Sequence, residues 1–347
     1  MKTREFTDLI LLAALWGASF LFMRIAVPEF GPVPLVALRV AIAALVLLPL
    51  VAWRGGITGL PSRDALRDSP LGRPGGLTGL PSRDALRDSP LGRPGGLMQL
   101  RTHGPRLALL GGLNSALPFV LLSYATLTVT AGFAAILNAT TPLWTAAIGA
   151  LWLRDRITRA QWVGLGLGLV GVTVLVWGKA GLSPGSQEWA VTLAVLAALL
   201  ATACYGLAAH VSRRLGDTVA PLPMAAGSQV GSTLLLAPLA YVLWPAVTPS
   251  AAAWGSAFVL GIGCTALAYL LYFRLIARIG AVRASAVAFL IPAFASAWGF
   301  AFLHEPITLQ MLLGGAIILL GTGLSLRLVA WPGAAKPPSA RQGPERR

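Results

Sequence analysis

Ten long apolar runs, set apart by polar or Pro- and Gly-rich clusters, pattern the chain: residues 8–27, 33–53, 106–127, 130–152, 160–178, 189–212, 219–243, 252–275, 281–303 and 309–330. A bilayer core of about 30 Å is crossed by roughly 20 mostly apolar residues in a helix. Each run therefore predicts a transmembrane helix. Lys2 and Arg4 before the first run look like the start of a signal peptide. That run is too long for a signal core and has no clear small-residue cleavage site before Glu29, so it too predicts a helix. The expectation is an all-α membrane protein.

Composition agrees. Of 347 residues, 56% are hydrophobic and 11% charged, with a mean hydropathy of +0.74. A soluble globule carries about 25% charged residues. The 39 Gly and 25 Pro show no period, which excludes collagen, and the apolar content excludes global disorder. Cys204 and Cys264 both lie in apolar runs, so a disulfide-stapled secreted domain is excluded. Three His and two Cys, far apart, leave no metal-ligand spacing, and no cofactor is expected.

The formal charge of +15 would suit nucleic acid, but its placement points to a membrane surface instead, and no nucleic-acid partner is expected. With the N-terminus inside, all of the 27 Lys and Arg except Lys179, Arg24 and Arg39 fall in cytoplasmic segments. This one-sidedness puts both termini in the cytoplasm.

Two repeats lie beneath the runs. Residues 58–77 recur unchanged at 78–97, inside a loop, 54–105, rich in Pro, Gly and charge. A solenoid needs at least three units to bury a shared core. The loop therefore reads as a disordered cytoplasmic segment carrying a duplication, and the tail 331–347 as disordered for the same compositional reason. The second repeat appears at an offset of 150. Pro142 then falls on Pro292, Gly149 on Gly299, Asp155 on Glu305, Ile157 on Ile307, Thr158 on Thr308, Gly164 on Gly314 and Gly171 on Gly321. The chain thus divides into halves, 1–178 and 189–330, of five runs each. Five is odd, so the second half enters the membrane from the opposite side. Ten helices as two inverted-topology five-helix repeats is a signature of secondary transporters.

The matched segments, ILNATTPLWTAAIGALWLRDRITRAQWVGLGLGLVGV and FLIPAFASAWGFAFLHEPITLQMLLGGAIILLGTG, resemble EamA-type members of the drug/metabolite transporter superfamily. The shared pattern is a helix Pro, an acidic residue after the helix, Ile-Thr and a Gly-rich last helix. Trp16-Gly17-Ala18-Ser19-Phe20, Arg39 and GIGCTALAYLLYFRLIARIGA are similar to further family motifs. The first half has Arg154-Asp155 where the family more often shows Gly-Glu, so that carboxylate is assigned no transport role. The resemblance implies export of small metabolites, commonly amino acids or related compounds, across a bacterial inner membrane.

Arg39 lies about a third of the way into run 2 from the outer side. It is either a counter-charge for a carboxylate-bearing solute or a structural Arg bonded to carbonyls. Arg24, near Glu29, is expected to snorkel or pair at the outer interface. No Asp or Glu lies deep in a run, which disfavours a carboxylate proton relay and leaves uniport open. The neutral candidates for the solute path are Trp16, Ser19, Asn114, Asn138, Thr141, Tyr205, Tyr269, Ser296 and Trp298; each has interhelical bonding or packing as its alternative. Runs 2, 5, 7 and 10 offer fewer uncharged candidates and are expected outside the cavity. Pro142 and Pro292 are hinge candidates, or static kinks. Gly164 with Gly168, and Gly227 with Gly231, form small faces for packing within the chain or for a homodimer. A membrane-embedded protease would need a nucleophile with a base inside the bilayer, whereas Ser19 lies in run 1 and His210 and His304 lie near run ends. Transport of phosphorylated or nucleotide-linked solutes would want several cations in the cavity, where Arg24 and Arg39 are the ones available.

Overall fold

A computed structural model describes residues 3–55, 95–153, 158–177, 187–280 and 284–326. The helices are α1 (Thr3–Phe30), α2 (Pro32–Gly55), α3 (Gly96–Thr102), α4 (Gly104–Ala125), α5 (Ala131–Asn138), α6 (Thr141–Leu153), α7 (Arg159–Trp177), α8 (Glu188–Gly216), α9 (Pro221–Val242), α10 (Ala251–Ile279), α11 (Val287–Leu303) and α12 (Leu309–Ser325). A helix occupies each predicted run, and run 4 is split into α5 and α6. Among the described residues seven helical stretches are long and apolar enough to cross a membrane.

Local chemistry sets the boundaries. Gly31, at φ 76°, turns α1 straight into α2, a conformation that costs glycine little. Pro32 then opens α2, where its missing N–H removes no helical bond. Thr130, Ser250 and Thr308 cap α5, α10 and α12 by accepting from the N–H groups of Phe133, Ala253 and Met311. Large apolar side chains such as Leu45, Leu169 and Leu234 are exposed along the rods. Exposed Trp53, Trp152, Trp177, Trp189 and Tyr241 stand at helix ends, the arrangement of interfacial aromatic belts.

The segment read as a loop at 54–105 is helical at both edges. α2 runs to Gly55, and α3 occupies Gly96–Thr102 because Leu97 and Leu100 pack against Val51 and Ala225. The stretch 56–94, Asp155 and the tail lie outside the described residues.

Helix contacts repeat between the halves. α1 packs on α10 and α11, as α8 packs on α4 and on α6 with α5. α2 packs on α9, α7 on α12 and α5 on α11, so exchanging the halves leaves the set unchanged. A Cβ added at Gly164 would stand 2.5 Å from the Gly321 carbonyl oxygen, and one at Gly171 would stand 3.0 Å from that of Gly314. As residue numbers rise along α7 they fall along α12, so these helices are antiparallel, and the pairing is self-complementary under the 150-residue offset. Gly17 meets Phe294 and Ala295, while Gly206 meets Trp144 and Thr145. That match exposes a second offset, of 189, for the first two helices of each half. It relates Gly17 to Gly206, Arg24 to Arg213, Pro32 to Pro221, Pro34 to Pro223 and Pro49 to Pro238.

The small-residue faces are used within the chain. Gly168 lies against Leu143, Gly227 against Leu107 and Gly231 against Ala108. These glycines thus serve close packing within the chain.

Candidate solute site

Arg39 is 3% exposed, in α2 where the halves meet. Its Nε donates to Thr265 Oγ1 at 2.9 Å and its Nη2 to Ser19 Oγ at 3.3 Å. Nη1 points to Met23 Sδ at 3.9 Å, and the guanidinium carbon lies 3.8 Å from the centre of the Phe119 ring. Phe119 in turn meets Tyr205 edge-on at 6.5 Å. Among the described residues no carboxylate pairs with Arg39. A buried guanidinium ordinarily keeps a counter-charge, because isolated charge is costly away from water. Neutral oxygens and a ring face leave this one with a net charge to share.

Two π-helical segments build the seat. Val259–Leu267 in α10 lets the Thr265 hydroxyl donate back to the Leu260 carbonyl at 2.8 Å, leaving its oxygen to accept from Arg39. Gly112–Ala116 in α4 holds Ser115, the 150-residue counterpart of Thr265. Gln229 Nε2 donates to Ser115 Oγ at 2.9 Å, repeating across the halves the bond that Arg39 makes. Asn114 Nδ2 ties the first segment to Tyr269 Oη, just past the second, at 2.8 Å. Such π segments often mark functional positions in helices.

Ser19, Arg39, Asn114, Tyr205 and Tyr269 thus belong to one polar layer. The other candidates make different contacts. Trp16 packs on Tyr272 at 5.3 Å, and Trp298 Nε1 donates to the Ala14 carbonyl at 3.2 Å, tying α11 to α1. Ser296 faces Gly132. Thr141 Oγ1 donates to the Asn138 carbonyl at 2.9 Å across the α5–α6 break, where Asn138 Oδ1 is buried without a partner among the described residues. Pro142 is the second residue of α6, while Pro292 stands inside α11. Run 7, expected outside the cavity, contributes Gln229 and Ser228. Ser115, Phe119, Thr265 and Gln229 were not singled out by the sequence; the offset of 150 that joins Ser115 to Thr265 was the available signal.

An ion pair latches the end of the bundle where α1 and α11 finish. Arg24 Nε and Glu305 Oε1 are 3.0 Å apart, Glu305 Oε2 accepts the Ala131 N–H at 2.8 Å, and Arg24 Nη1 donates to the Thr126 carbonyl at 2.7 Å. His304, at φ 53°, reverses the chain so that the Glu305 N–H closes on the Gly299 carbonyl. Burial pushes the Glu305 carboxyl above the usual carboxylate range, against the opposing pull of the Ala131 N–H and Arg24. Arg24 therefore pairs with Glu305 and not with nearby Glu29, whose Oε1 accepts from Ser250 Oγ at 2.8 Å. At the other end of α1, Asp8 pairs with Arg274 and, at 3.6 Å, with Arg278.

Comparison with known proteins agrees with this architecture. A probable terminal-alkyne amino-acid exporter of Streptantibioticus cattleyicolor is 28% identical over 63% of this chain and 72% of its own length. An uncharacterized transporter of Archaeoglobus fulgidus is 23% identical over 64% of this chain and 78% of its own. A solved structure described as "Crystal structure of protein" superposes with a TM-score of 0.56 at 19% identity, over 94% of this chain and 98% of that one; the likeness is one of fold. The model of the EamA-like transporter family matches residues 8–73, 85–177 and 192–327. With most of its length so matched, the chain belongs to the EamA-like transporter family.

Proposed function

We propose that this protein exports small carboxylate-bearing metabolites, amino acids or related compounds, by alternating access between two inverted five-helix repeats. The membrane is a bacterial inner membrane and both termini are cytoplasmic. The observation that carries the reading is Arg39, a buried cation between the halves with no carboxylate partner among the described residues. A solute carboxylate would supply the missing charge, and charge-assisted bonds of this kind are the strong ones. The antiparallel α7–α12 seam and the exchange of contacts between halves support the inverted repeat. The amino-acid exporter among the relatives supports the solute class.

Phosphorylated solutes are less well served, since Arg24 is already engaged by Glu305. Among the described residues Ser19 accepts from Arg39 and His210 bonds the Thr145 carbonyl, which gives an enzymatic reading little support. Uniport fits a layer without a carboxylate. In proteoliposomes loaded with amino acids, an outward solute gradient should drive flux at zero pH difference and zero potential. A strict need for a proton gradient would overturn uniport, and the absence of any carboxylate flux would overturn the function.

A further inference from the structure

We propose that Gln229 is a specificity-determining residue whose side-chain carbonyl accepts the ammonium group of the solute; the proposal rests on Arg39 holding the carboxylate. Gln229 is fully buried in α9. Its Nε2 donates to Ser115 Oγ at 2.9 Å and approaches Ser228 Oγ at 3.5 Å, while its Oε1 is buried with no hydrogen-bond partner among the described residues. The amide orientation follows from chemistry. Ser228 gives its own proton to the Ala225 carbonyl at 2.8 Å, so its oxygen can only accept. An amide NH₂ turned to the serines suits that geometry, and it leaves the carbonyl pointing away from them.

A buried acceptor left unmade costs about 1–3 kcal/mol, and a bilayer offers no water to repair it. An apolar residue of the same length would avoid that cost. The acceptor makes sense when its donor arrives with the solute. Across the layer the situation is reversed: Arg39 presents N–H groups and a positive charge without an anionic partner. Ser115 and Thr265 are equivalent positions, and Gln229, one place beyond the Arg39 counterpart Ser228, donates to Ser115 as Arg39 donates to Thr265, with the Asn114–Tyr269 bond between them. One half lacks an acceptor and the other lacks a donor. A molecule carrying both a carboxylate and a protonated amine satisfies both halves, and a simple carboxylic acid satisfies one.

The test uses the full-length protein in detergent and reads binding by thermal shift. The probes are the twenty standard amino acids, each beside the carboxylic acid that lacks its amine. The wild type should bind its preferred amino acids at least tenfold more tightly than their deaminated partners. Gln229→Met should remove that preference by weakening the amino acids at least tenfold more than their deaminated partners. Gln229→Glu, which keeps an acceptor, should preserve or sharpen it and guards against a folding artefact. Arg39→Gln should weaken both members of each pair. An unchanged preference in Gln229→Met would overturn the role of Gln229 alone. Equal binding by Arg39→Gln, or no binding of any carboxylate by the wild type, would overturn the Arg39 reading and this one with it.

Discussion

Arg39 and Glu305 are the two buried charges whose surroundings differ most, and each yields a prediction. Arg39 has neutral partners only among the described residues, so the folded protein gains little from its charge. Arg39→Gln should leave the melting temperature unchanged or raised, while carboxylate efflux from proteoliposomes falls about 10–100-fold, the worth of a charge-assisted bond. Glu305 has its carboxyl raised by burial. As pH rises, the unfolded chain releases this proton first. Its contribution is therefore fully present below the ordinary value of 4.5 and is lost as pH rises through the folded value. The melting temperature of the wild type relative to Glu305→Gln should climb as pH falls from 7 toward 4.5; a flat difference would contradict the burial effect. Arg39 was legible because a charge in an apolar run is conspicuous. Gln229 was not, since one amide in the run GSQVGS gives no hint of which oxygens will surround it. The Arg24–Glu305 pair spans 281 positions and follows only from the packed fold.

At the scale of elements, the α7–α12 seam is a close approach of backbones. A Cβ at Gly171 would stand 2.7 Å from Ile318 Cγ1 and 2.9 Å from its backbone nitrogen, atoms that cannot swing aside. Gly171→Val should lower stability by about 1–3 kcal/mol, as overpacking does, measured by thermal denaturation. Gly166→Ala, which meets nothing within 4 Å, is the control. The two prolines are also separable. Pro142 opens α6, where proline is tolerated, whereas Pro292 interrupts the hydrogen bonding of α11. Pro292→Ala should slow turnover more than it changes solute affinity, and Pro142→Ala should do little to either. The ten runs were readable because a lipid-spanning helix must be apolar for its whole length. The break at Ala139–Thr140 and the π segments were hidden, since both depend on bonding between neighbouring helices. The 189-residue offset was hidden too, because 56–94 adds length between run 2 and run 3 and puts the first two helices of each half out of step with the rest.

For the molecule as a whole, the proposed inverted repeat makes a test of sidedness. Arg159 and Leu309 are counterparts at the 150-residue offset, and both are exposed at helix starts. In intact cells an impermeant maleimide should label Leu309→Cys from outside, and Arg159→Cys only after permeabilisation. Labelling of both from one side would remove the inverted repeat and the carrier mechanism. The repeat is imperfect at one point that matters electrically. Where the first half has Arg39, the second has Ser228, so among the described residues the buried polar layer carries its positive charge in one half. Under the proposed alternating access, switching would move the voltage drop from one side of that charge to the other. A whole elementary charge crossing 100 mV is worth about 2.3 kcal/mol, and even a fraction of that biases where an empty carrier rests. An inside-negative cell would hold it open to the cytoplasm, ready to load. Solute-free proteoliposomes should then give capacitive current transients on a voltage step, which Arg39→Gln abolishes and a saturating simple carboxylate suppresses.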